Sequence, residues 1–254
     1  MKPNLLLTND DGIGAPGLHA LFCELREIAN TTIVAPLVEQ SAVGHAITMS
    51  DPLRVSNYER EGGFYGYAVK GTPADCVKIA YCAIMDQKPD MLVSGINLGE
   101  NTGINTIYSG TVSAATEGAM LGIPAFAISL DIYDNPDFQY AAKFASALTR
   151  SILQNGLPRG VCLNVNVPAC HESEIEGITV TKQGLSVFQD QFDRRVDPHG
   201  RVYYWLTGQK VDIENDKYTD EGAVRANKVS ITPIHYDLTH YAFIDTLRKW
   251  DIKP

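Results

Sequence analysis

Residues 5–17 read Leu5-Leu6-Leu7-Thr8-Asn9-Asp10-Asp11-Gly12-Ile13-Gly14-Ala15-Pro16-Gly17, a short apolar run followed by an acidic, glycine-rich turn. An apolar run this brief, without alternation, is what a strand buried on both faces gives. Past the turn, Leu18, Leu21, Phe22, Leu25 and Ile28 fall at helical spacing, with Pro16 placed where a first helical turn tolerates it. The same pairing repeats outward. Apolar runs at 32–35 (TIVA), 90–94 (DMLVS), 125–130 (AFAISL), 161–167 (VCLNVNV) and 228–232 alternate with helical patterns at 15–28, 72–85, 111–121 and 136–154, and a last helix near 239–250. Strand–helix alternation of this kind predicts an α/β fold: a parallel sheet with right-handed crossovers between two helical layers.

Gly12, Gly14 and Gly17 spell a literal G-x-G-x-x-G, which raises an NAD(P)-dependent oxidoreductase as one reading. A dinucleotide loop needs an acid about 20 residues on, at the end of the second strand, to hold a ribose. The second strand here ends Val34-Ala35-Pro36, and Asp10 and Asp11 sit where a pyrophosphate would lie. Two adjacent carboxylates after a first strand suit a divalent cation better, since burial of like charges calls for neutralisation. Taken alone, the pair also fits a solvated loop with Asp10 capping the next helix.

Ligands of doubly wound sheets bind outside the carboxyl ends of the strands, so residues just past each strand are those that can meet. The second strand leads to Glu39-Gln40-Ser41 and the third to Ser94-Gly95-Ile96-Asn97-Leu98-Gly99. Asp10, Asp11, the Ser41 hydroxyl and the Asn97 carboxamide then form an oxygen-only set suited to one divalent ion, Mg²⁺ or Mn²⁺. Singly, Ser41 and Asn97 read as turn or cap residues.

A fourth loop, Tyr108-Ser109-Gly110-Thr111-Val112-Ser113, opens an Ala-rich helix. Free backbone N–H groups at such a helix end attract phosphate, with the Ser109, Thr111 and Ser113 hydroxyls as further donors. The competing reading, that Ser109 or Thr111 only caps the helix, fits this stretch equally well. Gly71-Thr72-Pro73-Ala74-Asp75 reads as structural, with Thr72 as cap and Asp75 three residues on.

Composition narrows the class. The 254 residues are 44% apolar, enough for a sizeable core, and 21 basic against 30 acidic side chains leave a net charge of −9 with no basic block. That argues against binding of nucleic-acid polymers. No apolar run approaches the roughly 18–20 residues of a membrane span, and the N-terminal leucines are too few for a signal peptide, so a cytoplasmic protein without membrane contact is expected. The cysteines (Cys23, Cys76, Cys82, Cys162, Cys170) are odd in number and scattered, which suits reduced thiols. Residues 1–254 are expected to form one body, with 183–227 as an extended arm. Phe188, Phe192, Tyr203, Tyr204 and Trp205 in that arm are too few for a core of their own and must bury against something. Exchange between identical chains is the expected solution, in preference to a lid.

The ordered stretches T-N-D-D-G-I at 8–13, Q-S at 40–41, G-T-P-A-D-C-V at 71–77, S-G-I-N at 94–97 running to Gly103, and Y-S-G-T-V at 108–112 resemble the SurE (survival protein E) family of metal-dependent 5′/3′-nucleotidases. Tyr218-Thr219-Asp220 and Val229-Ser230-Ile231-Thr232-Pro233 resemble that family's tail. The resemblance spans nearly the whole chain. It implies a Rossmann-like three-layer α/β/α body whose C-terminal β-hairpin arm joins a homodimer or homotetramer. It also implies a divalent metal on Asp10, Asp11, Ser41 and Asn97, and phosphate release from nucleoside monophosphates. In such a reaction Asn97, Asn101, Ser109, Gly110 and Thr111 hold phosphoryl oxygens. Asp10 or Asp11 acts as general base toward water or attacks phosphorus directly, two alternatives the sequence leaves open. Ala42 and Ser113 depart from the family, which usually has Gly at both positions; the changes bear on loop geometry and substrate preference. A receiver-type Mg²⁺-binding signalling module shares the acidic pair, but its phosphoacceptor Asp after a middle strand and its late Lys have no counterpart here: the third strand ends at Asn97.

Overall fold

The computed structural model describes residues 2–132, 135–211 and 216–253. In chain order the elements are β1 (Asn4–Thr8), α1 (Pro16–Leu25), β2 (Asn30–Pro36), β3 (Arg54–Arg60), β4 (Gly63–Lys70), α2 (Pro73–Ile79), β5 (Met91–Leu98), α3 (Gly110–Met120), β6 (Ala125–Leu130), α4 (Gln139–Asn155), β7 (Val161–Val167), β8 (Ile178–Val180), β9 (Val187–Val196), β10 (Val202–Val211), α5 (Asp220–Arg225), β11 (Val229–His235) and α6 (Tyr241–Leu247). The main sheet runs β3-β4-β2-β1-β5-β6-β7-β11-β8. Its centre, from β4 to β7, is parallel, while β3 and β11 run antiparallel to their neighbours β4 and β7. The expected α/β architecture with a mostly parallel sheet is therefore present, edged by antiparallel strands.

Strand pleat explains why the opening leucines do not alternate with polar residues. Leu5 and Leu7 enter one core, with residues of α1 and α4, while Leu6 points through the sheet into a second core beneath α2 and α3. In β6 the bulky Phe126, Ile128 and Leu130 face the first core, whereas Ala125 and Ala127 let α3 approach on the other side. Helices thus cover both faces, and the carboxyl ends of β1, β2 and β5 open on the same edge.

The glycines of the opening turn have packing duties. Gly12 has φ +96°, a conformation that side chains disfavour, and a Cβ on Gly17 would run into the carbonyl of Ile96. These positions are accounted for by a turn and by close helix–strand contact. They are not evidence for a dinucleotide.

The hairpin of β3 and β4 lies in a stretch for which the sequence suggested no strand. β3 (RVSNYER) is mostly exposed, and its turn places Glu61 and Gly62 at φ +53° and +78°. A polar edge strand lacks the apolar run of a buried one, so its signal is weak. Within 183–227 the projecting part is β9 and β10, a separate two-stranded antiparallel sheet pairing Val187 with Val211 through Val196 with Val202. Asp220–Arg225 forms α5, which packs on β11 and β7. Positions 212–215 of that segment lie outside the described residues. Phe192, Tyr204 and Trp205 are exposed in the isolated chain, Trp205 at 58%.

Candidate active site

The site begins at the end of β1. Asn9 steadies the acidic turn by donating from Nδ2 to the Gly12 carbonyl at 2.9 Å, and the Gln40 N–H donates to the Asp10 carbonyl at 2.8 Å. The Asp10 side chain is buried, 4% exposed, and lies against the start of α3. It accepts from the Thr111 N–H at 3.1 Å and from the Thr111 hydroxyl. Gly110 permits this approach, because a Cβ there would stand 2.8 Å from the Asp10 Cβ. Asp11 accepts from the Leu98 N–H at 3.3 Å, which ties the pair to the end of β5. The loops after β1, β2 and β5 and the start of α3 therefore meet at the two carboxylates.

Electrostatics mark the pair as unusual. Burial raises the pKa of Asp10, and burial followed by the neighbouring Asp10 charge pushes Asp11 up to about 7. Glu39 acts in the same direction on both. Among the described residues no Lys, Arg or His forms an ion pair with either carboxylate, and no group of at least three His, Cys, Asp or Glu side chains is arranged as a metal cage. A cation held here would rest on two carboxylates completed by neutral oxygens, which is the donor set suited to a hard divalent ion with water positions to spare. The Asn9 Oδ1 atom is buried beside the pair without a hydrogen-bond partner.

The other expected residues are placed unevenly. Asn97 follows a register shift between Gly95 and Asn97 in the pairing of β5 with β6, and such irregularities re-aim side chains at sheet ends. Its Nδ2 donates to the Gly99 carbonyl at 2.6 Å, a bond that does not involve Oδ1. Ser41 lies in the loop beside Asp10, but its hydroxyl donates to Glu39 at 2.6 Å. Ser109 is the N-cap of α3 and accepts from the Val112 N–H at 3.1 Å. The Thr111 hydroxyl is committed to Asp10, and that of Ser113 donates to the Ser109 carbonyl at 2.6 Å. The helix-capping reading of this turn is thus realised, and of the three hydroxyls only that of Ser109 keeps its O–H for a ligand.

Asn101 is held from all sides. Its N–H donates to Asn166 Oδ1 at 2.7 Å, its Nδ2 donates to the Ser129 hydroxyl at 2.8 Å, and its carbonyl accepts from Asn164 at 2.8 Å and Asn166 at 3.2 Å. Sequence reasoning missed Ser129, Asn164 and Asn166. A signal existed: Asn164 and Asn166 stand two apart, on one face of an otherwise apolar strand. Gly71–Asp75 behaves as expected, with a capping box between Thr72 and Asp75.

The chain matches the sequence model of the family described as Survival protein SurE over residues 5–190. The chain belongs to the SurE family. It is 53% identical over 248 residues to the 5′-nucleotidase SurE of Syntrophobacter fumaroxidans, covering 98% of this chain and 99% of the relative. It is 51% identical over 244 residues to the 5′-nucleotidase SurE of Syntrophus aciditrophicus, covering 96% and 92%. Among solved structures it resembles the SurE protein of Aquifex aeolicus, with a TM-score of 0.85 and 39% identity over 97% of this chain and 98% of that one.

Ala42 has φ +56°, in the left-handed region where glycine is at ease, within the loop that carries Ser41. That loop is fastened by the Gly44 N–H to the Tyr108 carbonyl at 2.9 Å, by His45 to the buried Glu117 at 2.9 Å, and by Thr48 to Asp75. Relief of left-handed strain by glycine is set against the entropy that glycine adds to the unfolded chain. Ala42→Gly is expected to change stability by less than about 1 kcal/mol, while speeding amide exchange across 40–44. Thermal melting and hydrogen exchange check both.

Proposed function

We propose that this protein is a phosphoric monoester hydrolase that releases phosphate from nucleoside 5′-monophosphates, and from 3′-monophosphates at the same centre. The observation that carries this reading is the adjacent pair of a buried Asp10, held by Thr111, and a half-buried Asp11, held by Leu98, with no cationic side chain among the described residues paired to either. The names of the relatives, 5′-nucleotidase SurE, supply the substrate class.

Asp10, Asp11, Asn97 Oδ1 and, once its hydroxyl leaves Glu39, Ser41 would hold one Mg²⁺ or Mn²⁺. When bound, such an ion supplies Lewis-acid polarisation of the phosphoryl group and a lower pKa for water. Asp10 is committed to Thr111 and serves to orient the centre. Asp11 is the more accessible of the two, and its oxygen not engaged by Leu98 accepts a proton from the attacking water as the bond from phosphorus to the nucleoside oxygen breaks and that oxygen takes a proton from solvent. The second N–H of Asn101 Nδ2 and the Ser109 hydroxyl donate to the remaining phosphoryl oxygens as charge develops, with Gly110 keeping the turn open to them. The Ser129, Asn164 and Asn166 contacts fix Asn101 beforehand, so little reorganisation is needed in the transition state. Phosphate release from a panel of 5′- and 3′-nucleoside monophosphates tests the reading. Release from nucleotides but not from sugar phosphates is expected, and no release from any of them would overturn it.

The hairpin of β9 and β10 joins identical chains into a dimer or tetramer in this reading. Its exposed Phe192, Tyr204 and Trp205 give it an apolar surface, and a lone two-stranded sheet is marginal in water. Trp205→Ala is expected to shift sedimentation toward monomer. A wild-type chain that sediments as monomer at micromolar concentration would contradict the role. No described helix is long and apolar enough to cross a membrane, and the reading places the enzyme in the cytoplasm with nucleoside monophosphates as its partners.

A further inference from the structure

Asp220 and Glu221 begin α5 and are buried, at 0% and 6% exposure. The helix does not need Asp220 as its cap, because Thr219 fills that role by accepting from the Gly222 N–H at 3.1 Å. The Asp220 carboxylate instead bridges two segments far apart in sequence. Its Oδ2 accepts from the Gly103 N–H at 3.0 Å, and its Oδ1 accepts from the Gly184 N–H at 2.8 Å and the Glu221 N–H at 3.0 Å. Glu221 extends the bridge by accepting from the Ser186 hydroxyl and, at 3.3 Å, from the Thr102 hydroxyl. The two segments also bond each other directly: the Ile104 N–H donates to the Ser186 carbonyl at 3.2 Å, and Gln183 Nε2 donates to the Gly103 carbonyl at 2.9 Å. A Cβ on Gly103 would run into the Ser186 hydroxyl, so the fit leaves no slack.

One segment follows Asn101 immediately, and the other leads into β9. We propose that Asp220 and Glu221 are positioning residues, whose carboxylates together lock the Asn101 turn to the root of the β9–β10 hairpin. The inference rests on the reading of Asn101 as a residue that faces the phosphoryl group. Ser129, Asn164 and Asn166 grip Asn101 itself, and the Asp220 bridge fastens the residues that follow it. A carboxylate suits this task because it accepts from several N–H groups at once while leaving none of them buried and unpaired.

Asp220→Asn separates the two halves of the bridge. Asparagine keeps an Oδ1 for Gly184 and Glu221, but sets an N–H donor against the Gly103 N–H. Loss of placement at Asn101 is expected to lower kcat on the order of 10- to 100-fold, as small misplacements near reacting groups do, with KM changed less than about twofold. Amide exchange should quicken at 102–104 while sedimentation and far-UV circular dichroism stay as in wild type. Faster exchange at 102–104 with unchanged kcat would overturn the positioning role, and unchanged exchange would overturn the lock itself. If Asp220→Asn does not fold, Ser186→Ala is the deciding variant: it removes the hydroxyl that ties the hairpin root to Glu221. A lower kcat at unchanged KM supports the proposal, and an unchanged kcat contradicts it. Absence of phosphate release by the wild type would count against the catalytic reading alone, since hydrogen exchange still reports the lock.

Discussion

Asp10→Asn and Asp11→Asn are each expected to lower turnover by orders of magnitude while the chain stays folded. Asparagine matches aspartate in size, so the packing of Gly110 against residue 10 is kept. At position 10 the amide oxygen still accepts from the Thr111 N–H, and the Thr111 hydroxyl can turn to accept from the new N–H group. In the proposed metal centre the change removes a charged oxygen ligand, for which a hard divalent cation has no substitute in a neutral carboxamide. Steady-state phosphate release together with circular dichroism checks the pair of expectations. Near-normal turnover by both variants would sink the role of the carboxylates.

The same pair gives a pH dependence in the metal-free protein. The folded-state pKa of Asp11 is raised to about 7 from 3.8, chiefly by burial and then by the Asp10 charge, so the folded chain binds more protons than the unfolded chain between those values. Stability then falls as pH rises through that window and levels off above it. Chelator-treated protein should therefore melt at lower temperature at pH 8 than at pH 5, and Asp11→Asn should flatten the difference. Equal slopes for the two proteins would show that Asp11 does not ionise against a penalty.

Asn101→Ala is the second change with a large expected effect. Removing one preorganised donor from developing phosphoryl charge costs roughly 2.7–4 kcal/mol, or about 10²–10³ in rate. The backbone of Asn101 keeps its bonds to Asn164 and Asn166, so the turn should survive the loss of the side chain's bond to Ser129. The effect is expected in kcat. A rise confined to KM would make Asn101 a uniform binder of substrate and product.

Much of this arrangement is legible in residues 5–17. A leucine run that feeds two cores, an acidic pair at its end and a helix beyond it announce a doubly wound sheet and the edge at which such sheets bind ligands. The antiparallel edge was not legible, because β3 is polar and exposed and owes its place to pairing with β4. At the site, position along the chain identified which loops converge, but not how their side chains are spent. Ser109 and Thr111 read equally well as phosphate donors and as helix caps; in the fold the Thr111 hydroxyl holds Asp10, and Ser109 caps α3 as an acceptor with its O–H left to donate. Ser41 and Asn97 turn to Glu39 and Gly99. Hydroxyls and amides can bond to nearby backbone and side-chain groups as readily as to a ligand, and the sequence pattern alone does not choose between them. The Asp220 bridge was illegible for another reason: its partners lie at 103 and 184, and only the folded chain brings them together.

Isothermal titration of Mn²⁺ into chelator-treated protein tests the proposed metal centre most directly. Wild-type protein should bind one ion per chain with release of protons as Asp11 ionises, and Asp11→Asn should bind far more weakly. Wild-type protein that takes up no ion, or an Asp11→Asn variant that binds as tightly as wild type, would contradict a centre built on Asp10 and Asp11.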